Sequence, residues 1–183
     1  MTVFLRIPQD RIGVLIGPGG ETKRALMERS GIRIDVDSND NEVGIHNETE
    51  GIDPVMLLKL QDVVRAIGRG FSPDHASKLF SDDYYLELLD FHDYVGKDKS
   101  HVRRVTARLI GSEGKTRRII EEQTGCLLAI YGHTVGIVGD LENISAAKQA
   151  VDMILSGAEH ASVYRFLENQ RRRSRRDQTE LWK

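Results

Sequence analysis

At 183 residues, with 39% apolar and 30% charged side chains, the chain is long for one compact domain and comfortable for two small, soluble, globular ones. A net charge of −2 excludes a protein that coats duplex nucleic acid by bulk charge, since that mode rests on many phosphate neutralisations; any nucleic-acid contact is local. The start "MTVFLRIPQDR" lacks the order of a secretion signal and no run approaches about 18 apolar residues, which predicts a cytoplasmic protein with no membrane partner.

In chain order, "TVFLRIP" is rich in β-branched and apolar residues and reads as a strand ending at Pro8, and "DRIGVLI" as a short helix leading into Gly17 and Gly20. "ETKRALMERSG" places Ala25, Leu26 and Arg29 at helical spacing and stops at Gly31, a suitable left-handed cap. "IRIDV" and "EVGIHN" are strands joined through the polar "DSNDN" as a hairpin. "DPVMLLKLQDVVRAIGRG" opens with Asp53 as N-cap and Pro54 at the first helical position, with Val55, Leu58, Val63 and Ile67 at near-helical intervals. A linking helix is expected from Ser72-Pro73 in "FSPDHASKLFSDDY".

The same order then returns. "LIGPGGETKRALMERSGIRI" (15–34) lies in register on "LIGSEGKTRRIIEEQTGCLL" (109–128), and "VGI" at 43–45 corresponds to "VGI" at 135–137. In the second copy "YYLELLDF" is the first strand, "HVRRVTARLI" the first helix and "ISAAKQAVDMIL" the last. "ASVYRFLENQRRR" adds a helix whose Val163, Phe166 and Leu167 face the body; "RRRSRR" at 171–176 reads as a solvated or disordered tail, with Trp182 in a loose end. The predicted class is α+β: two tandem β-α-α-β-β-α domains at 1–70 and 84–157, each a three-stranded sheet packed against helices, joined by 71–83 and followed by a C-terminal helix and basic tail at 158–183.

"GSEGKT" at 111–116 looks like the end of a P-loop, but the glycine that lets such a loop curl around a triphosphate is replaced by Leu109. What remains is two glycines three apart, an apolar pair before them and cations after. "DVDSNDNEVGIH" begins like a calcium loop, yet Asp40 and His46 stand where an EF-hand needs glycine and glutamate, so the hairpin reading stands. The single Cys126, in "GCLLAI", excludes an internal disulfide and a cysteine-based zinc site and reads as core filler. The histidines show no metal-ligand spacing, and neighbours Glu121 and Glu122 do not face each other across a substrate. No catalytic residue, metal or cofactor is assigned.

"LIGPGGETKRAL" and "LIGSEGKTRRII" resemble the K-homology (KH) signature, Ile-Gly-x-x-Gly between two helices, and the element order is that of a type I KH domain. The whole chain, with "HTVGIVGD" and "SVYRFLENQRRR", resembles the archaeal two-KH ribosomal-RNA-processing family related to the eukaryotic small-subunit assembly factor "partner of Nob". That resemblance implies a non-catalytic protein that binds single-stranded RNA near the 3′ end of small-subunit rRNA in ribosome maturation or initiation, with ribosome-assembly or translation-initiation proteins as partners.

For RNA contact, Gly17, Gly20, Gly111 and Gly114 remove side chains that would hold a nucleic-acid backbone away, and the following helix aims free N–H groups at a phosphate. Between them lie Pro18 and Gly19 in the first turn and Ser112 and Glu113 in the second, where the KH pattern often has a basic residue. Leu15, Ile16, Ile32 and Ile34, and Leu109, Ile110, Leu127 and Leu128, are divided between base-binding groove and core. Lys23 and Arg24 follow the first turn and Lys115, Arg117 and Arg118 the second, with Lys115 and Arg118 on one helix face. Arg103, Arg104 and Arg108 lie upstream and offset the Glu113 carboxylate, which ranks the second copy ahead as the RNA reader. A protein-docking scaffold with little RNA affinity is the alternative, and fold alone does not choose between them.

Overall fold

A computed structural model describes residues 1–182, which fall into two compact units, Met1–Leu86 and a second beginning at Glu87. In the first, β1 (Thr2–Arg6) is followed by α1 (Gln9–Ile16), a single 3-10 turn (Pro18–Gly20) and α2 (Glu21–Ser30). Then come β2 (Arg33–Asp37), β3 (Glu42–His46) and α3 (Pro54–Gly68). The second repeats this with β4 (Tyr84–Asp90), the short α5 (His92–Val95), α6 (Lys99–Ile110), a 3-10 turn (Ser112–Gly114), α7 (Lys115–Thr124), β5 (Leu127–Tyr131), β6 (Thr134–Asp140) and α8 (Leu141–Leu155). Both sheets put the last strand in the middle, in the orders β1-β3-β2 and β4-β6-β5. In the first sheet Val43 stands opposite Leu5 and Val36 at once, and in the second Ile137 stands opposite Leu128.

The repeat is carried by matching hydrogen bonds. Gly31 and Gly125 end α2 and α7 in the left-handed region, and each N–H reaches back to a carbonyl four residues earlier at 2.8 Å, Met27 and Glu121. Just before them, the Ser30 and Thr124 hydroxyls donate to Leu26 and Ile120 carbonyls at 2.7 Å and accept the N–H of Ile32 and Cys126 at 3.2 Å. Asp53 and Asp140 cap α3 and α8, accepting from Val55 and Asn143 N–H.

Three features depart from expectation. The 71–83 connection starts its helix at Ser72-Pro73 as expected, but that helix, α4 (Pro73–Ala76), passes after four residues into a 3-10 turn (Ser77–Phe80); Phe71, Leu79 and Phe80 are buried and the segment packs on α3 within the first unit. An extra helix, α5, stands between first strand and first helix in the second unit alone. The "RRRSRR" block is solvated, as expected, but it is helical and not loose: α9 (His160–Glu180) runs through it. Val163 and Leu167 anchor that helix in the second core with Phe166 against it, and the arginines continue on helical residues with low-cost propensity. Cys126 is 1% exposed against Gly139, and burial pushes its thiol up to about 11, so it stays protonated and unreactive near neutral pH.

Candidate nucleic-acid interface

The two glycine turns share one backbone. Gly17 has φ 73° and ψ 173° and Gly111 has φ 74° and ψ 175°, a region only glycine visits readily. The third position is also at positive φ, 58° at Gly19 and 54° at Glu113, and the fourth is left-handed at Gly20 and Gly114. Gly20 and Gly114 N–H groups close the turn onto Gly17 and Gly111 carbonyls at 3.1 and 3.2 Å. Among the described residues no side chain caps the start of α2 or α7; the Glu21 and Lys115 N–H groups are taken by the Pro18 and Ser112 carbonyls, and the N–H groups that follow them in the first turn are the ones open to an anion.

Why the first glycine is required is visible in the packing. A Cβ on Gly17 would lie 2.1 Å from the Thr22 hydroxyl oxygen, and one on Gly111 would lie 2.4 Å from that of Thr116. Each threonine sits under its turn and holds it up; Thr116 also exchanges a 3.0 Å hydrogen bond with the Tyr164 hydroxyl of α9. Gly20 and Gly114, by contrast, have nothing within 4 Å of a built Cβ, so their role is backbone conformation and open approach. The threonines were missed as site residues, although their matching place in the repeat is a signal for them.

The apolar candidates separate cleanly. Leu15, Ile32, Leu109 and Leu128 are buried core, and Ile34, assigned above to RNA contact, is 1% exposed and belongs with them; its inward register opposite Ile45 in the sheet is the reason. Ile16 and Leu127 are half-buried, and Ile110, at 36%, is the open apolar side chain beside the second turn.

The cations separate too. Lys23 is half-buried, and Arg24, Arg104 and Lys115 are exposed, none with an ion-pair partner among the described residues. Arg118 reaches back to the Glu113 carbonyl at 3.2 Å and braces the turn, while Arg117 lies 3.7 Å from Glu121. Arg108 is not free for RNA: its guanidinium donates to the Ile154 carbonyl at 2.8 Å and to the Ala158 carbonyl, and its own carbonyl lies 2.8 Å from the His160 ring. Arg11 does the same in the first unit, donating to Ile67 and Phe71 carbonyls at 2.7 Å. Donors one helical turn apart in the repeat thus serve equivalent carbonyls, one in the last turn of α3 or α8 and one just beyond it. On α6, Arg104 shares the side of Arg108, whereas Lys99, Arg103, Thr106 and Ile110 form a separate stripe that ends at Gly111.

The fold also gathers a group the spacing of the histidines concealed. His92 and His133 stack with centroids 4.2 Å apart and planes 17° from parallel, and both Nδ1 atoms lie near one Asp90 oxygen, at 3.4 and 3.0 Å. Burial acts to raise the Asp90 pKa, but the His92 backbone N–H and the two rings outweigh it and hold the carboxyl below its usual range. Asp90, His92 and His133 bring three metal-ligating atoms within 4.8 Å of one another. A metal about 2 Å from both Nδ1 atoms would fall outside the planes of rings stacked this way, so the arrangement fits a hydrogen-bonded pair better than a metal centre.

Comparison with known proteins bears on what such turns do. Residues 85–172 match the family described as eukaryotic type KH-domain (KH-domain type I), and residues 2–54 match the KH domain family. A KH domain-containing protein of Methanocaldococcus jannaschii is 48% identical over 180 residues, covering 98% of this chain and 78% of that protein. The pre-rRNA-processing protein pno1 of Schizosaccharomyces pombe is 27% identical over 164 residues, 89% of this chain and 68% of that protein. A chain in the crystal structure of an a/eIF2alpha-aDim2p-rRNA complex from Pyrococcus horikoshii superposes with a TM-score of 0.86 at 41% identity, covering 94% of each.

Proposed function

From the chain's membership of the archaeal two-KH-domain family related to the eukaryotic pre-rRNA-processing protein pno1, we propose that it binds single-stranded RNA, the 3′ region of small-subunit rRNA, through its glycine turns during ribosome biogenesis. The observation that carries this reading is the pair of turns with matching backbone, each opening a helix without a side-chain cap and each ending in a glycine, Gly20 or Gly114, where a built Cβ meets nothing within 4 Å. A phosphate approaching the turn meets oriented N–H groups and the positive end of the helix dipole, while neighbouring bases lie along exposed apolar side chains such as Ile110. KH modules hold roughly four nucleotides in this way.

The protein acts by holding RNA and not by transforming it, in the cytoplasm; among the described residues no helix is long and apolar enough to cross a membrane. The rRNA and the initiation-factor subunit in the Pyrococcus complex support the same two classes of partner here. Binding of a fluorescent single-stranded RNA carrying the small-subunit rRNA 3′ end, over a salt series, tests the reading with Gly114→Asp and Gly20→Asp. Loss of binding in one of them assigns the reader; wild-type affinity in both refutes contact through the turns, and no binding by wild type at low salt leaves the protein-docking role.

A further inference from the structure

An open pocket of about 600 Å³ lies at the far end of α6 from the glycine turn, between the start of that helix, α5 and the β5–β6 hairpin tip. We propose that it is a further nucleotide subsite, in which an RNA base stacks on the His92–His133 pair and the adjoining phosphates meet Lys97, Lys99 and Arg103. This rests on the RNA-binding reading above and extends it beyond the nucleotides held at the turn.

The imidazole pair is a built platform. The Phe91 N–H donates to the His133 carbonyl at 2.7 Å, and Phe91 is fully buried, so the strand end and the hairpin tip are pinned by backbone. Asp90 accepts the His92 N–H at 2.8 Å and takes up both rings, which leaves the stacked pair ordered with the His133 side chain 43% exposed. An ordered, half-exposed aromatic surface gives a base a stacking partner with little entropy left to lose.

The charge around it lacks an internal answer. Lys97, Lys99 and Arg103 all line the pocket and are exposed, and among the described residues none has an acidic partner; of the acids nearby, Asp90 is taken up by the imidazoles and Asp98, between the two lysines, by the Ser100 and His101 N–H groups it caps. Val102 and Thr106 supply a mostly uncharged wall. An apolar wall, a π surface and unneutralised cations at the rim suit a ligand that is aromatic and anionic, as a nucleotide is.

Position connects the pocket to the turn. Lys99, Arg103, Thr106 and Ile110 share one face of α6, and Arg103 is about 11 Å along the axis from Ile110. A strand leaving the second turn along that stripe arrives at the imidazoles. The first unit has no counterpart: β1 runs through Ile7 and Pro8 straight into α1, and its hairpin tip carries Asp37 and Asp40.

The test compares the full chain's affinity, by fluorescence anisotropy, for an RNA of about four nucleotides and one of about ten with the same central sequence extended at both ends. His133→Ala and the double variant Lys97→Gln/Lys99→Gln are each expected to weaken the longer RNA about tenfold and leave the short one unchanged; the double variant leaves the melting temperature unchanged, while His133→Ala lowers it slightly because Asp90 loses one partner. The wild-type salt slope on the longer RNA is expected to exceed that on the shorter by about 0.7 per added phosphate contact, a difference the double variant removes. Wild-type affinity of both variants for the longer RNA overturns the subsite. Equal loss on both RNAs makes the pocket part of the turn site and overturns a separate one. Full displacement of the extension effect by millimolar adenosine 5′-monophosphate identifies a free-nucleotide site instead. Wild type binding neither RNA overturns the RNA reading itself, together with this one.

Discussion

At the third position of the turn the first unit has Gly19 at φ 58° and the second has Glu113 at φ 54°, so the same backbone is reached once by a residue that adopts it freely and once by one that resists it. Left-handed conformation costs a non-glycine residue about 1–2 kcal/mol, and here it also puts a carboxylate beside the place a phosphate would occupy. The second position contrasts the other way: Pro18 has no N–H, whereas Ser112 keeps one. The turn's shape is thus set by its first and last glycines and by the threonine beneath, while the two central residues differ in chemistry without changing it. The second unit has exposed Lys115 directly after its less favourable turn and a separate cluster of Lys97, Lys99 and Arg103 toward the other end of α6; the first carries acid at the equivalent hairpin tip.

The largest effect is expected from the shape-setting glycines. Gly17→Ala and Gly111→Ala each add a Cβ within 2.4 Å of a threonine oxygen in a glycine-only region, and should destabilise their own unit by about 3 kcal/mol in urea unfolding. Gly114→Ala meets no atom and should lose about 1 kcal/mol. Equal losses at Gly111 and Gly114 would break the distinction between a packing glycine and an approach glycine.

Next in size are the arginine clamps. Arg108→Ala leaves two carbonyls without their charged donor and should lower second-unit stability by about 2 kcal/mol, as Arg11→Ala should the first, with RNA affinity of the folded protein unchanged. A selective loss of RNA affinity in Arg108→Ala, with no change in unfolding, would return that side chain to the binding surface. Thr116→Val keeps the shape but removes the hydroxyl bonded to Tyr164, and is expected to lose about 1 kcal/mol; Thr22→Val, with no such bond, should lose less, which calorimetric melting resolves.

Smaller still is the change at the strained position. Glu113→Gly should alter stability by no more than about 1 kcal/mol, because relief of the left-handed strain is offset by a freer unfolded chain, while RNA binding tightens about threefold as the carboxylate leaves. The smallest is a pH effect confined to the second unit. The folded-state pKa of Asp90 is depressed, so its contribution is present above the unfolded value of about 3.9 and is lost as pH falls through the folded value. Asp90→Asn should therefore flatten the acid limb of the second unit's unfolding profile below about pH 4 and change nothing in the first.

Much of this protein was legible residue by residue. The internal repeat, the element order shared by the two copies, the hairpin, the caps at Asp53 and Gly31 and the two glycine turns follow from rules that act over a few residues: which residues tolerate positive φ, which side chains reach a free N–H, and the period of apolar positions. The solvation of the basic block was legible in the same way but its helicity was not, since composition alone does not show that Val163 and Leu167 anchor a helix long enough to carry the arginines through it.

What tertiary structure alone decided is which member of each chemically similar set does what. Ile34 is core and Ile110 is surface, Arg108 is a clamp and Arg103 an exposed cation without a partner among the described residues, and His92 meets His133 across forty-one positions of chain. Burial and pairing depend on groups brought together from distant segments, such as Arg108 with Ile154 and Ala158 or Asp90 with His133. Local sequence rules determine the conformation available at a position, and only the folded neighbourhood determines whether its side chain is left with anything to bind.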